Sequence, residues 1–73
     1  MNIFIKTKDN KYVFSVDPTI TVASLKNQIS EILHIHKLQQ RLIFNGSPMV
    51  DESILEKYKV EENSTIHLVL TMM

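Results

Sequence analysis

The sequence predicts an α+β fold: a mixed sheet of four to five strands with one helix packed across one face. Three observations predict it. Segments 1–7, 12–16, 41–44 and 65–71 alternate apolar and polar side chains with a period of two, the mark of half-buried strands. Segment 22–33 instead carries apolar residues at spacings of three and four, the mark of an amphipathic helix. Strands interrupted by a single long helix bury their apolar faces as a sheet layer against a helix layer. With 73 residues, the chain is read as one domain, residues 1–73.

Each element has its own reason. In 1–7, Ile3 and Ile5 share one face, with Asn2, Phe4 and Lys6 on the other. The cluster Lys8-Asp9-Asn10-Lys11 supplies a turn, since Asp and Asn tolerate left-handed backbone. Tyr12, Phe14 and Val16 then share a face, completing a hairpin. Pro18 ends it because proline cannot donate to a ladder. Thr21 is placed to cap the helix, whose stripe is Val22, Leu25, Ile29, Ile32 and Leu33. The glycine that commonly closes a helix is missing, and His34 stands there instead. In 41–44, Leu42 and Phe44 face inward, and Asn45-Gly46-Ser47-Pro48 turns the chain. Met49 is expected in the core, and Ile54, Leu55 and Tyr58 make a short helical turn within 51–59. Tyr58 is expected to anchor a loop through its hydroxyl. In 65–71, Ile66, Leu68 and Leu70 face inward. The expected core is Ile3, Ile5, Tyr12, Phe14, Val16, Val22, Leu25, Ile29, Leu42, Phe44, Ile66, Leu68 and Leu70.

Composition excludes several functions. Eight Lys+Arg balance eight Asp+Glu, so no broad electrostatic grip on nucleic acid or anionic lipid is expected. No apolar run reaches the roughly 18 residues of a membrane helix. Without cysteine there is no disulfide, thiol catalysis or thiolate zinc site, which fits an intracellular setting, cytoplasm or nucleus. One glycine excludes a glycine-rich phosphate loop.

Alternation also says what stays outside. With Leu42 and Phe44 inward, Ile43 points out; with Ile66 and Leu68 inward, His67 and Val69 point out. If the third and last strands are neighbours, Ile43, Val69 and His67 form one patch bordered by Arg41 and Gly46. An apolar patch with a polar rim is a docking surface, although single exposed aliphatics are also ordinary.

Three blocks carry a resemblance. Met1-Asn2-Ile3-Phe4-Ile5-Lys6-Thr7, Gln39-Gln40-Arg41-Leu42-Ile43-Phe44-Asn45-Gly46 and Ser64-Thr65-Ile66-His67-Leu68-Val69-Leu70 closely resemble ubiquitin, in order and across the whole chain. The resemblance to the ubiquitin-like family implies the β-grasp fold, no enzymatic activity and no cofactor. It implies that Ile43, Val69 and His67 match the family's main recognition patch, with Arg41, Gly46 and Gln40 around its edge. It implies partners such as ubiquitin-binding helices or domains and proteasomal receptors, bound by a monomer. A lesser family patch matches Ile35, Leu70 and Met72, although packing at the core edge explains these residues more simply.

The departures from the family are specific. A conjugated modifier ends in Gly-Gly, whereas this sequence reads Leu70-Thr71-Met72-Met73. Ser47 and Glu62 stand where ubiquitin has its two best-known linkage lysines, while Lys6 and Lys26 match lysines there. The first hairpin turn is one residue shorter and lacks the family's leucine, with Lys8 nearby. These departures resemble a ubiquitin-like domain of a longer adaptor or shuttle. The alternative is a covalent modifier whose tail is absent from this sequence.

Other constellations are weak. His34 and His36 could approach one metal but lack a third ligand nearby, so solvated loop histidines are expected. Asp51-Glu52 and Glu61-Glu62 need a cleft to act as acid and base, and a domain this small has little room for one. His67 has no evident nucleophile beside it.

Overall fold

Alternation in the first fifteen residues becomes a hairpin of β1 (Asn2–Lys6) and β2 (Lys11–Ser15). The computed structural model describes residues 1–71. The hairpin turn is not left-handed at Asp9 or Asn10, contrary to the sequence expectation. Thr7 closes it instead: its N–H donates to the Asn10 carbonyl at 2.7 Å, and its hydroxyl accepts from the Asn10 N–H at 3.0 Å. The side chain thereby supplies the local bonds that a left-handed residue was expected to make possible.

Helix α1 (Val22–Leu33) begins where Thr21 was expected to cap it. Its hydroxyl accepts from the Ser24 N–H at 3.1 Å. The Val22 and Ala23 N–H groups donate to the Ser53 and Asp51 carbonyls at 2.8 and 3.1 Å. All these first-turn donors lack intrahelical acceptors, so the segment 51–53 completes the helix end. At the other end His34 is left-handed, φ 58°, and its N–H donates to the Ser30 carbonyl. A histidine thus takes the place usually held by glycine.

After a short 3-10 turn at Lys37–Gln39 come β3 (Gln40–Phe44), β4 (Ser47–Pro48) and, beyond a second 3-10 turn at Leu55–Tyr58, β5 (Thr65–Leu70). Residues 47–48, read in the sequence as turn, are a strand. Asn45 and Gly46 both have positive φ, 52° and 79°, as the tightest two-residue hairpin turn requires. Pro48 is tolerated because β4 lies at the sheet edge. The sheet order is β2-β1-β5-β3-β4, with β1 and β5 parallel and the other pairs antiparallel. This is the β-grasp arrangement.

The core lies between α1 and one sheet face. It holds Ile3, Ile5, Phe14, Val16, Leu42, Phe44, Ile66 and Leu68 from the sheet and Val22, Leu25 and Ile29 from the helix. Met49, Leu55 and Val60 join from the loops. Tyr12 is half-buried at the margin. Leu70, expected inside, is 58% exposed. It lies at the end of β5, beside an open groove lined by Leu33, Ile35 and the β1–β2 turn. Ile32, placed on the helix stripe, is 61% exposed because the stripe runs from Ile29 to Leu33, four residues on, and passes it by. Tyr58 anchors its loop as expected, its hydroxyl accepting from the Val50 N–H at 2.7 Å.

Gln40 is the one buried polar residue among those described, 4% exposed. Its side-chain amide donates to the Lys26 and Ile35 carbonyls at 3.0 and 2.9 Å, tying the helix and the loop after it to β3. Asp17 accepts from the Thr19 hydroxyl and N–H at 2.6 and 2.8 Å, which holds its carboxyl below the usual range.

Leu25→Ala removes a fully buried side chain and is expected to cost about 2–5 kcal/mol, read as a lower urea midpoint. Gln40→Ala strands two carbonyls and is expected to cost about 1–3 kcal/mol on the same assay. The depressed Asp17 carboxyl stabilises the fold above its unfolded pKa, and that contribution fades as pH falls through its folded pKa. Asp17→Asn is therefore expected to flatten the acid limb of a stability–pH profile and leave residual slope from other carboxylates.

Candidate functional site

The face of the sheet away from α1 has no covering element. Register places its side chains. Ile43 of β3 lies opposite His67 of β5 and, on its other side, opposite Pro48 of β4. Arg41 lies opposite Val69, and Lys6 of β1 lies opposite His67. A row therefore runs Lys6, His67, Ile43, Pro48 across four strands. Ile43 and Val69 are diagonal neighbours across the β3–β5 pair, within the reach of aliphatic side chains.

Ile43 is half-buried between its neighbours, and Val69 is 44% exposed. His67, Arg41 and Gly46 are exposed. Two aliphatic groups thus sit among a histidine, an arginine and a lysine. Gly46 occupies the second of the two left-handed positions of the β3–β4 turn at the end of this face. Of the expected site residues, the structure brings Ile43, Val69, His67 and Arg41 together and sets Gly46 at the border.

Gln40 does not join them. β3 alternates, so Gln40 faces inward with Leu42 and Phe44. Its amide is spent on Lys26 and Ile35, and its side-chain carbonyl has no hydrogen-bond partner among the described residues. It supports the face from behind instead of bordering it. Two-residue periodicity from Leu42 already assigns this side.

Lys6 and Pro48 flank the row and were not singled out as site residues. Alternation put Lys6 on the outer face, but only the parallel β1–β5 register puts it beside His67. A second apolar spot on the same face pairs Phe4 with Val13, which is 63% exposed. The Lys11 ammonium lies 4.4 Å from the Phe4 ring centroid, a cation–π contact.

Of the lesser patch, Ile35 and Leu70 line one open groove, Ile35 also packing against the core, while Met72 lies outside the described residues. The carboxylate pairs have structural work. Asp51 accepts from the Lys26 ammonium at 2.6 Å, with the lysine side chain 13% exposed. Glu62 accepts from the Asn2 N–H with both oxygens at 3.2 Å. His36 accepts the Leu38 N–H on Nδ1 at 3.1 Å. Among the described residues no group of three or more His, Asp or Glu could hold a metal ion. No helix among them is long and apolar enough to cross a membrane.

Comparisons with known proteins bear on this geometry. The chain is 37% identical over 73 residues to the ubiquitin-like protein NEDD8 of Dictyostelium discoideum, covering 99% of this chain and 95% of that protein. It is 33% identical over 69 residues to the ubiquitin domain-containing protein DSK2 of Saccharomyces cerevisiae, covering 94% of this chain but 18% of that protein. It is 38% identical over 61 residues to ubiquilin of Dictyostelium discoideum, covering 84% of this chain and 12% of that protein. The chain thus spans nearly all of the first relative and under a fifth of the other two. The family model described as "Ubiquitin family" matches residues 3–73, and with this fold and these relatives the chain belongs to the ubiquitin family.

Proposed function

We propose that this domain is a non-covalent protein-interaction module that docks ubiquitin-receptor or proteasomal partners through Ile43, Val69 and His67. The observation that carries the proposal is the β3–β5 register, which joins two outward aliphatic side chains inside a polar, largely cationic rim. A partner helix lays apolar side chains over Ile43 and Val69, while acidic groups on it meet Arg41 and Lys6. Burying one such aliphatic side chain contributes about 1.5–3 kcal/mol before the costs of association. An interface built on so small a patch falls below about 1,200 Å², the range of weak, reversible partners.

The similarity to DSK2 and ubiquilin supports a domain within a longer adaptor, because a stretch of this length is a small share of each. The nearly full-length similarity to NEDD8 supports the second reading, a covalent modifier. Ser47 and Glu62 at the places of familiar linkage lysines, the latter bonded to Asn2, argue against conventional chain building on this domain. A denaturing immunoblot of source-cell lysate separates the two. A single large band that is insensitive to inhibitors of activating enzymes is expected; a small free form with an inhibitor-sensitive ladder would establish the modifier.

Ile43→Ala is expected to weaken binding of a ubiquitin-interacting helix by at least about tenfold, corresponding to 1.4 kcal/mol. Amide chemical-shift titration reads this, with a thermal melt to show that the fold persists. Unchanged affinity would overturn the docking site.

A further inference from the structure

The chain's only glycine follows an asparagine, and the pair forms the β3–β4 turn. Asn45 and Gly46 are both exposed, with φ 52° and 79°. Among the described residues, neither the Gly46 N–H nor the Asn45 side-chain amide has a hydrogen-bond partner. A Cβ built on Gly46 meets nothing within 4 Å, and glycine puts no side chain beside the nitrogen that follows Asn45.

We propose that the Asn45-Gly46 turn is a site of intramolecular deamidation. The Gly46 backbone nitrogen attacks Cγ of Asn45, forming an N–Cγ bond. The Cγ–Nδ2 bond breaks, and ammonia leaves carrying the proton from the Gly46 amide. The product is a five-membered succinimide. Water adds to either ring carbonyl and opens the ring, leaving aspartate or isoaspartate. Water is the only co-reactant.

The structure distinguishes this asparagine from the other four. Asn63 is also left-handed, φ 66°, and precedes a serine. Its neighbour's nitrogen is engaged, however, because the Ser64 N–H donates to the Glu61 carbonyl at 3.0 Å. Asn2 lies in β1, Asn27 lies in α1, and Asn10 is held in the Thr7 turn. Only Asn45 combines an unhindered following residue, exposure and an unbonded nucleophile.

The product alters the hairpin. Aspartate adds a negative charge at the border of the outward face. Isoaspartate lengthens the backbone of a two-residue turn that has no slack. Strand β4 is held by two residue pairs, Phe44 with Ser47 and Ile43 with Pro48. Met49 follows directly, its N–H donating to the Leu42 carbonyl at 2.9 Å and its side chain in the core. The added backbone atom therefore loosens β4 and withdraws Met49.

The folded chain is incubated at mildly alkaline pH and physiological temperature. Peptide mass spectrometry and labelling by an isoaspartyl methyltransferase then locate the product. The Asn45 peptide is expected to gain about one dalton and accept methyl groups severalfold faster than the Asn63 peptide. Asn45→Ser is expected to remove that label, and aged wild-type chain is expected to show a second set of Ser47 and Met49 amide resonances. Modification at Asn45 no faster than at Asn63, or confined to urea-unfolded chain, overturns the proposal.

Discussion

Strand β5 comes last among the strands in sequence and lies at the centre of the sheet, parallel to β1 and antiparallel to β3. The rest of the structure depends on that insertion. Until β5 is placed, β1 and β3 have no common neighbour, and the helix has two separate hairpins beneath it. Its alternate residues then serve two purposes at once. Ile66 and Leu68 are buried under α1, while His67 and Val69 emerge on the opposite face. A slip of one residue would exchange the two sets, so the burial of the core enforces the composition of the outer face.

Polar bonds hold the parts that packing alone leaves free. The start of α1 is completed by carbonyls from 51–53, and the Lys26–Asp51 pair lies over the same junction. With the aspartate side chain half-exposed, that pair adds modest stability and mainly registers helix against loop. Gln40 works from β3, binding the carbonyl of Lys26 in α1 and that of Ile35 beyond it. Its neighbours Arg41 and Ile43 belong to the outer face. The strand that presents the patch is thus fastened from behind by its own inward residues.

Left-handed backbone is unusually dependent on residues other than glycine. His34, Asn45, Lys59 and Asn63 all have positive φ, and Gly46 is the only glycine. Asparagine bears this conformation at low cost; histidine and lysine bear it less easily. His34 and Lys59 each end a helical segment, where the bond made by the left-handed residue's N–H offsets the strain. Composition shows that glycine is scarce, but not which residues replace it.

The two periodicities, the Thr21 cap and most of the core were legible in the chain, because each follows from residue type and spacing within one element, and the order of those elements gave the fold class. The sequence by itself also determined that Ile43, His67 and Val69 point outward, since alternation needs no partner strand. Tertiary structure alone decided that β3 and β5 are neighbours, which turns three outward residues into one patch with Lys6 beside it. It decided that the inward Gln40 meets a helix carbonyl and that Leu70 meets an open groove instead of the core. It also made a strand of Ser47 and Pro48 and brought Leu55 and Val60 into the core. In each case local spacing names the side of an element, but what lies on that side is set by distant segments brought there by the sheet order.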